Sequence, residues 1–121
     1  MTARIVFKIV DEASWRAAEA VGRFDGSPVD HRDGFIHLST AEQVAETASR
    51  HFAGRSGLLL VAIATRALGD ALRWEPSRGG ALFPHFYGAL SPDDAIAVVP
   101  LELDESGRHV LPMLDAPPYT L

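Results

Sequence analysis

The sequence predicts a small α+β domain, and three observations carry that prediction. Strand-like and helix-like segments alternate through the first half of the chain (strand, helix, strand, helix), and the second half reads mainly as strands. One segment, Leu58–Ala64, is apolar at every position, as a central strand buried on both faces requires. Hydrophobic residues make up 47% of the 121 and charged residues 22%, the profile of a chain that folds around a core. At this length one domain is expected over residues 1–111, with an irregular tail over 112–121 that carries three prolines.

Each element has a local reason. Residues 4–10 (RIVFKIV) are rich in β-branched and aromatic side chains and read as the first strand. Asp11 is placed to cap the helix that follows, with Glu12 in its first turn and Gly22 to close it; Trp15, Ala18 and Val21 give that helix a buried stripe. Residues 24–28 are turn chemistry, and residues 35–38 form a short strand after Gly34. Ser39 and Glu42 then predict a capping box ahead of a second helix with Val44, Ala45, Ala48 and Phe52 at helical spacing and Gly54 at its end. After Leu58–Ala64, strands are expected over 72–75, within 83–88, over Ala95–Leu103 and over 109–111. Residues 67–70 read as a turn, and residues 76–80 as a loop whose Gly-Gly pair suggests mobility.

Composition removes several function classes. Without cysteine there is no disulfide, thiol catalysis or thiolate metal site, which fits a cytoplasmic protein. The net charge of −5 lacks the basic footprint of a non-specific nucleic-acid or membrane binder, although Arg66, Arg73 and Arg78 lie close in sequence. The opening ten residues hold no signal-peptide core, and the seven apolar residues of Leu58–Ala64 are too few to span a membrane. No two histidines share H-x-H or H-x-x-x-H spacing, so no metal site is expected, and neither a P-loop, a G-x-G-x-x-G nor a G-x-S-x-G elbow is present.

Three short segments each place two polar residues two positions apart, on one side of an extended backbone. They are His37 with Ser39, Arg73 with Glu75, and His85 with Tyr87, each set opposite apolar neighbours. A sheet with one apolar face would collect these pairs on its other face, provided the strands are neighbours. His37 also precedes a helix N-terminus, whose free N–H groups suit an anion such as phosphate. Structural readings stand beside these. His37 can simply bond a backbone carbonyl, Ser39 can be a helix cap, Glu75 can pair with Arg73 at the surface, and His85 with Tyr87 can anchor a loop. His31, His51 and His109 read as solvated.

The strings GFIHLSTAEQ (34–43) and FPHFYG (83–88) closely resemble the two hallmark motifs of a bacterial family, domain-of-unknown-function family 952. The opening strand, Trp15 and the Arg73-Trp74-Glu75 segment are similar to it too. The resemblance implies an ADP-ribosyltransferase-like fold, a split and strongly bent sheet with two main helices and a ligand cleft for which NAD is the candidate cofactor. A second similarity agrees: His37-Leu38-Ser39, then a helix, a hydrophobic strand and Ala67-Leu68, resembles a segment of the RNA 2′-phosphotransferases. On this reading His37, Ser39 and Thr40 contact phosphate or ribose, Tyr87 stacks on a base, and His85 bonds a ribose hydroxyl. Glu75 holds the 2′-hydroxyl and stabilises an oxocarbenium-like transition state. Lys8 stands near the place where such transferases put a ribose-binding His or Arg. The resemblance thus implies an enzyme with catalytic Glu75, His37 and His85 and ligand contacts from His37, Ser39, Thr40, Arg73 and Tyr87. It would act on a phosphorylated or nucleotide-like small molecule at a ribosyl or phosphate-bearing centre. The rival readings are a non-catalytic ADP-ribose, nucleotide or anion module, and an acid–base enzyme with His37 and His85 as proton carriers.

Overall fold

The apolar strand Leu58–Ala64 (β3) lies between two antiparallel partners, β1 (Ile5–Asp11) and β6 (Ala95–Leu103), and is buried along its whole length. Its alternation separates two cores. Leu59, Val61 and Ile63 pack with Val6, Val10, Trp15, Ile36 and Phe86, while Leu58, Leu60 and Ala62 pack with Phe7, Val44, Leu101 and Tyr119. The computed structural model describes residues 3–114, 116, 118 and 119.

The sheet is split and strongly curled. One half runs β1-β3-β6-β7, where β7 is His109–Val110, and the other runs β2-β5-β4, from Ile36–His37, Leu82–Phe86 and Leu72–Pro76. A bridge between Phe7 and Ser39 ties the halves, with backbone hydrogen bonds of 2.8 and 2.9 Å. The α+β class is therefore observed. Among the described residues no helix is long and apolar enough to cross a membrane.

Helix α1 (Glu12–Val21) begins and ends as its sequence dictates. The Asp11 side chain accepts from the Ser14 N–H, Gly22 closes it at φ 82°, and Trp15 and Ala18 are the residues it buries; Val21, expected on the same stripe, is exposed at the last position of the helix. Two further local expectations are corrected. A six-residue helix, α2 (Pro28–Asp33), follows the turn at 24–28, because proline sits at its start and Asp30 accepts from the Ser27 N–H at 2.8 Å. The next helix, α3 (Val44–His51), starts later than the Ser39–Glu42 box implies. Gln43 reaches back to the Thr40 N–H at 3.0 Å, so the box is displaced by one residue, and Ser39 is drawn into the bridge with Phe7. His109 is a strand residue whose Nε2 bonds the Arg55 carbonyl at 2.8 Å. The tail's described residues hold no helix or strand, yet Tyr119 is buried beside Phe7; Asp115, Pro117, Thr120 and Leu121 lie outside the described residues, as do Met1 and Thr2.

Candidate functional site

Strand register assembles the polar pairs. His37 on β2 lies directly opposite His85 on β5, and His85 lies opposite Arg73 on β4. Two residues further along their chains, Tyr87 and Glu75 point to the same side. The alternate residues Ile36, Phe86, Leu72 and Trp74 pack on the core, which fixes the register and leaves the polar set on the outer face.

One half of the cluster centres on Glu75. Its Oε1 accepts from the Tyr87 hydroxyl at 2.7 Å and from His85 Nδ1 at 2.9 Å. These two donors, with Arg73 nearby, hold the Glu75 carboxyl below its usual range, and the same bond raises the Tyr87 phenol. The Arg73 guanidinium lies over the Tyr87 ring, 5.1 Å from its centroid, and has no carboxylate hydrogen-bond partner among the described residues. Phe35 occupies the middle. Its ring stacks on His85 at 4.0 Å and lies 4.6 Å from His37 and 5.3 Å from Tyr87.

The other half is a buried charge network. Asp30 accepts from His37 Nδ1 at 2.7 Å, from the His37 N–H at 3.0 Å, from the Ser27 N–H, and from Lys8 Nζ at 2.9 Å. His37 Nε2 faces Asp33 at 2.9 Å, so both ring nitrogens are engaged by carboxylates. Lys8 and Asp30 are 4% and 2% exposed, and a Cβ at Gly26 would lie 2.9 Å from that of Asp30, so glycine is needed there. Burial alone would raise the Asp30 carboxyl, but His37, Lys8 and Ser27 outweigh it and hold the group well below the carboxylate range. Burial lowers the Lys8 ammonium, against the pull of Asp30.

Folding therefore favours ionised Asp30. The stability it contributes is fully present above the ordinary carboxyl value of 3.8 and is lost as pH falls toward the depressed folded value. Urea midpoints are expected to fall more steeply below about pH 4 in the native chain than in Asp30→Asn, which has nothing to titrate there. Equal acid slopes would place the loss in other carboxyls.

The structure thus brings together His37, Arg73, Glu75, His85 and Tyr87. It does not bring Ser39 or Thr40 to them. Ser39 Oγ is buried against Thr47 Oγ1 at 2.9 Å, and the Thr40 N–H is taken by Gln43. That also removes a donor from the anion site expected before the second helix. Lys8 is sealed beneath Asp30 rather than open to a ligand. Of the neighbouring arginines, Arg66 is exposed in the turn after β3, and the Arg78 side chain lies outside the described residues. Sequence reasoning missed Phe35, Asp30 and Asp33. Strand alternation already put Phe35 on the face of His37, and Ser27-Pro28-x-Asp30 is a helix-start signal. Asp33 had no local signal, because it meets His37 only through the end of α2.

A split, curled antiparallel sheet with this polar face defines one class of α+β protein, and the chain belongs to the family described as Protein of unknown function (DUF952), whose model matches residues 9–98. The resemblance to family 952 is borne out. The chain is similar to protein CC0527 from Caulobacter crescentus, whose X-ray crystal structure is 46% identical, covering 92% of this chain and 95% of that one with a TM-score of 0.84. The solution NMR structure of CC0527 aligns at 48% identity over 86% and 90% of the two chains, with a TM-score of 0.78. No curated protein matches.

Proposed function

We propose that the outer face of β2-β5-β4 binds a phosphorylated, ribose-bearing ligand of the nucleotide, NAD or ADP-ribose kind, and that the protein acts on it at the ribosyl or phosphate-bearing centre. The observation that carries this reading is the Arg73 guanidinium, held on the Tyr87 ring without a carboxylate hydrogen-bond partner among the described residues, beside the Glu75–His85 pair. A planar fork of N–H donors that no carboxylate hydrogen bond occupies suits phosphate. The Tyr87 and Phe35 rings suit a flat base, and Glu75 has a second oxygen for a ribose hydroxyl. Ser39 and Thr40 drop out of this reading because the Ser39 hydroxyl bonds Thr47 of α3 and the Thr40 N–H is taken by Gln43 at the start of that helix. The split, curled sheet and the His37-Leu38-Ser39 segment support an ADP-ribosyltransferase-like relationship; the cysteine-free composition fits a cytoplasmic setting, and the similarity to a Caulobacter crescentus protein supports a bacterial one.

Calorimetric titration with NAD, ADP-ribose and AMP tests it. Saturable binding is expected, weakened about tenfold or more by Arg73→Ala, since a charge-assisted hydrogen bond contributes about 1.5–3 kcal/mol. No binding, or binding indifferent to both Arg73→Ala and His85→Ala, overturns the proposal. Turnover is then read as nicotinamide release, lost in Glu75→Gln with binding retained. A non-catalytic module is the second reading, favoured by His37, whose two ring nitrogens are both committed to carboxylates. Binding without turnover selects it.

A further inference from the structure

The two histidines of the site face opposite situations, and the difference assigns them separate tasks. His37 has no free ring nitrogen, because Asp30 and Asp33 take both. His85 donates Nδ1–H to Glu75 at 2.9 Å, and its Nε2 has no hydrogen-bond partner among the described residues. The side chain is 7% exposed, and its ring is stacked on Phe35. Even so, the buried side-chain nitrogen left without a partner among the described residues is Trp15 Nε1, not His85 Nε2, so the latter stays within reach of solvent.

We propose that His85 is the proton acceptor of this site through Nε2, with Glu75 and Tyr87 as its positioning residues, and that His37 is a fixed clamp that exchanges no proton with the ligand. The physical reason is the tautomer. A carboxylate on Nδ1 keeps the proton there and turns the Nε2 lone pair outward, the logic of a carboxylate–histidine dyad. Tyr87 donates to the same Glu75 oxygen and fixes its rotamer from the other side. When a ligand hydroxyl meets Nε2, its O–H bond breaks and the proton moves to the ring. The electron pair stays on the hydroxyl oxygen, and Glu75 offsets the positive charge gained by the imidazole. Arg73, across the strand pair from His85, is placed to hold an anionic group of the same molecule. The ligand class is therefore a hydroxyl close to a phosphate. Phe35, with its ring centroid 4.0 Å from that of His85, covers one face of the imidazole.

This assignment rests on the ligand face proposed above, but its test needs no ligand, so a failure of nucleotide binding and a failure of the assignment are separate results. Long-range nitrogen–proton NMR of the histidine side chains reads the tautomer of the wild-type chain directly. Expected are an Nδ1-protonated His85 with bare Nε2, and loss of that form in Glu75→Leu but not in Tyr87→Phe. The wild-type spectrum decides even where Glu75→Leu fails to fold. Diethyl pyrocarbonate, which acylates unprotonated imidazole nitrogen, is expected to modify His85 and exposed His31 while sparing His37. An Nε2-protonated His85, or a His85 that stays unmodified while His31 reacts, overturns the assignment. So does acylation of His37 ahead of His85.

Discussion

Replacing Asp30 by asparagine is expected to cost the fold about 3–5 kcal/mol, the scale of breaking a buried ion pair from one side. Asp30 takes hydrogen bonds from four donors on three segments: Lys8 of β1, Ser27 before α2, and the backbone and ring of His37. Asparagine keeps one acceptor oxygen and adds an N–H₂ where every neighbour is also a donor. Lys8 is then left as a buried ammonium without a counter-charge. The loss is bounded by the energy needed to deprotonate that lysine, which burial already makes easier. Adding Lys8→Met to Asp30→Asn removes the stranded charge and is expected to recover part of the stability, a coupling that two independent sites would not display. Urea unfolding at neutral pH of the wild type, both single variants and the double variant measures it. A loss below about 1 kcal/mol in Asp30→Asn would mean that the network is not a stabilising hub.

Leu60→Ala is expected to cost about 2–5 kcal/mol, because the site cannot collapse around the missing atoms. Leu60 has no exposed surface and sits at the middle of β3, opposite Ile9 of β1 and Val99 of β6. Neighbouring strands bonded on both sides hold the backbone in place, so a cavity remains. Val21→Ala, at a position 76% exposed on α1, is the control and is expected to change stability by less than about 0.5 kcal/mol. Denaturant midpoints of the two variants give the comparison. Equal effects would show that the strand is not the rigid wall between the two cores.

The elements that were legible in the sequence are those whose signal is local. Seven apolar residues in a row can only be a buried strand or a buried piece of helix, and the length and flanking turn residues favour the strand. Asp11 and Gly22 bracket α1 because a cap and a left-handed closing residue act within a few positions. That 73 and 75 share one side of their segment, and 85 and 87 one side of theirs, was equally legible, since alternation is a property of any extended chain. Where a local signal had a competitor, the reading slipped. Ser39 has the chemistry of a cap, but the Phe7 backbone offers it two hydrogen bonds, and Gln43 takes over the start of α3.

By itself, the sequence determined the α+β class, the central strand, the first helix with its caps, and the family, because these follow from composition, periodicity and contiguous motifs. Only the tertiary structure decided that His37 meets His85 across a strand pair, that Phe35 fills the space between them, and that Lys8 and Asp30 are buried together. Those contacts join residues far apart in the chain, and neither alternation nor capping carries information about which strand lies beside which. The difference between the two histidines is of this second kind. His37 is committed because α2 brings Asp30 from its first turn and Asp33 from its end to the two ring nitrogens, whereas β4 offers His85 a single carboxylate.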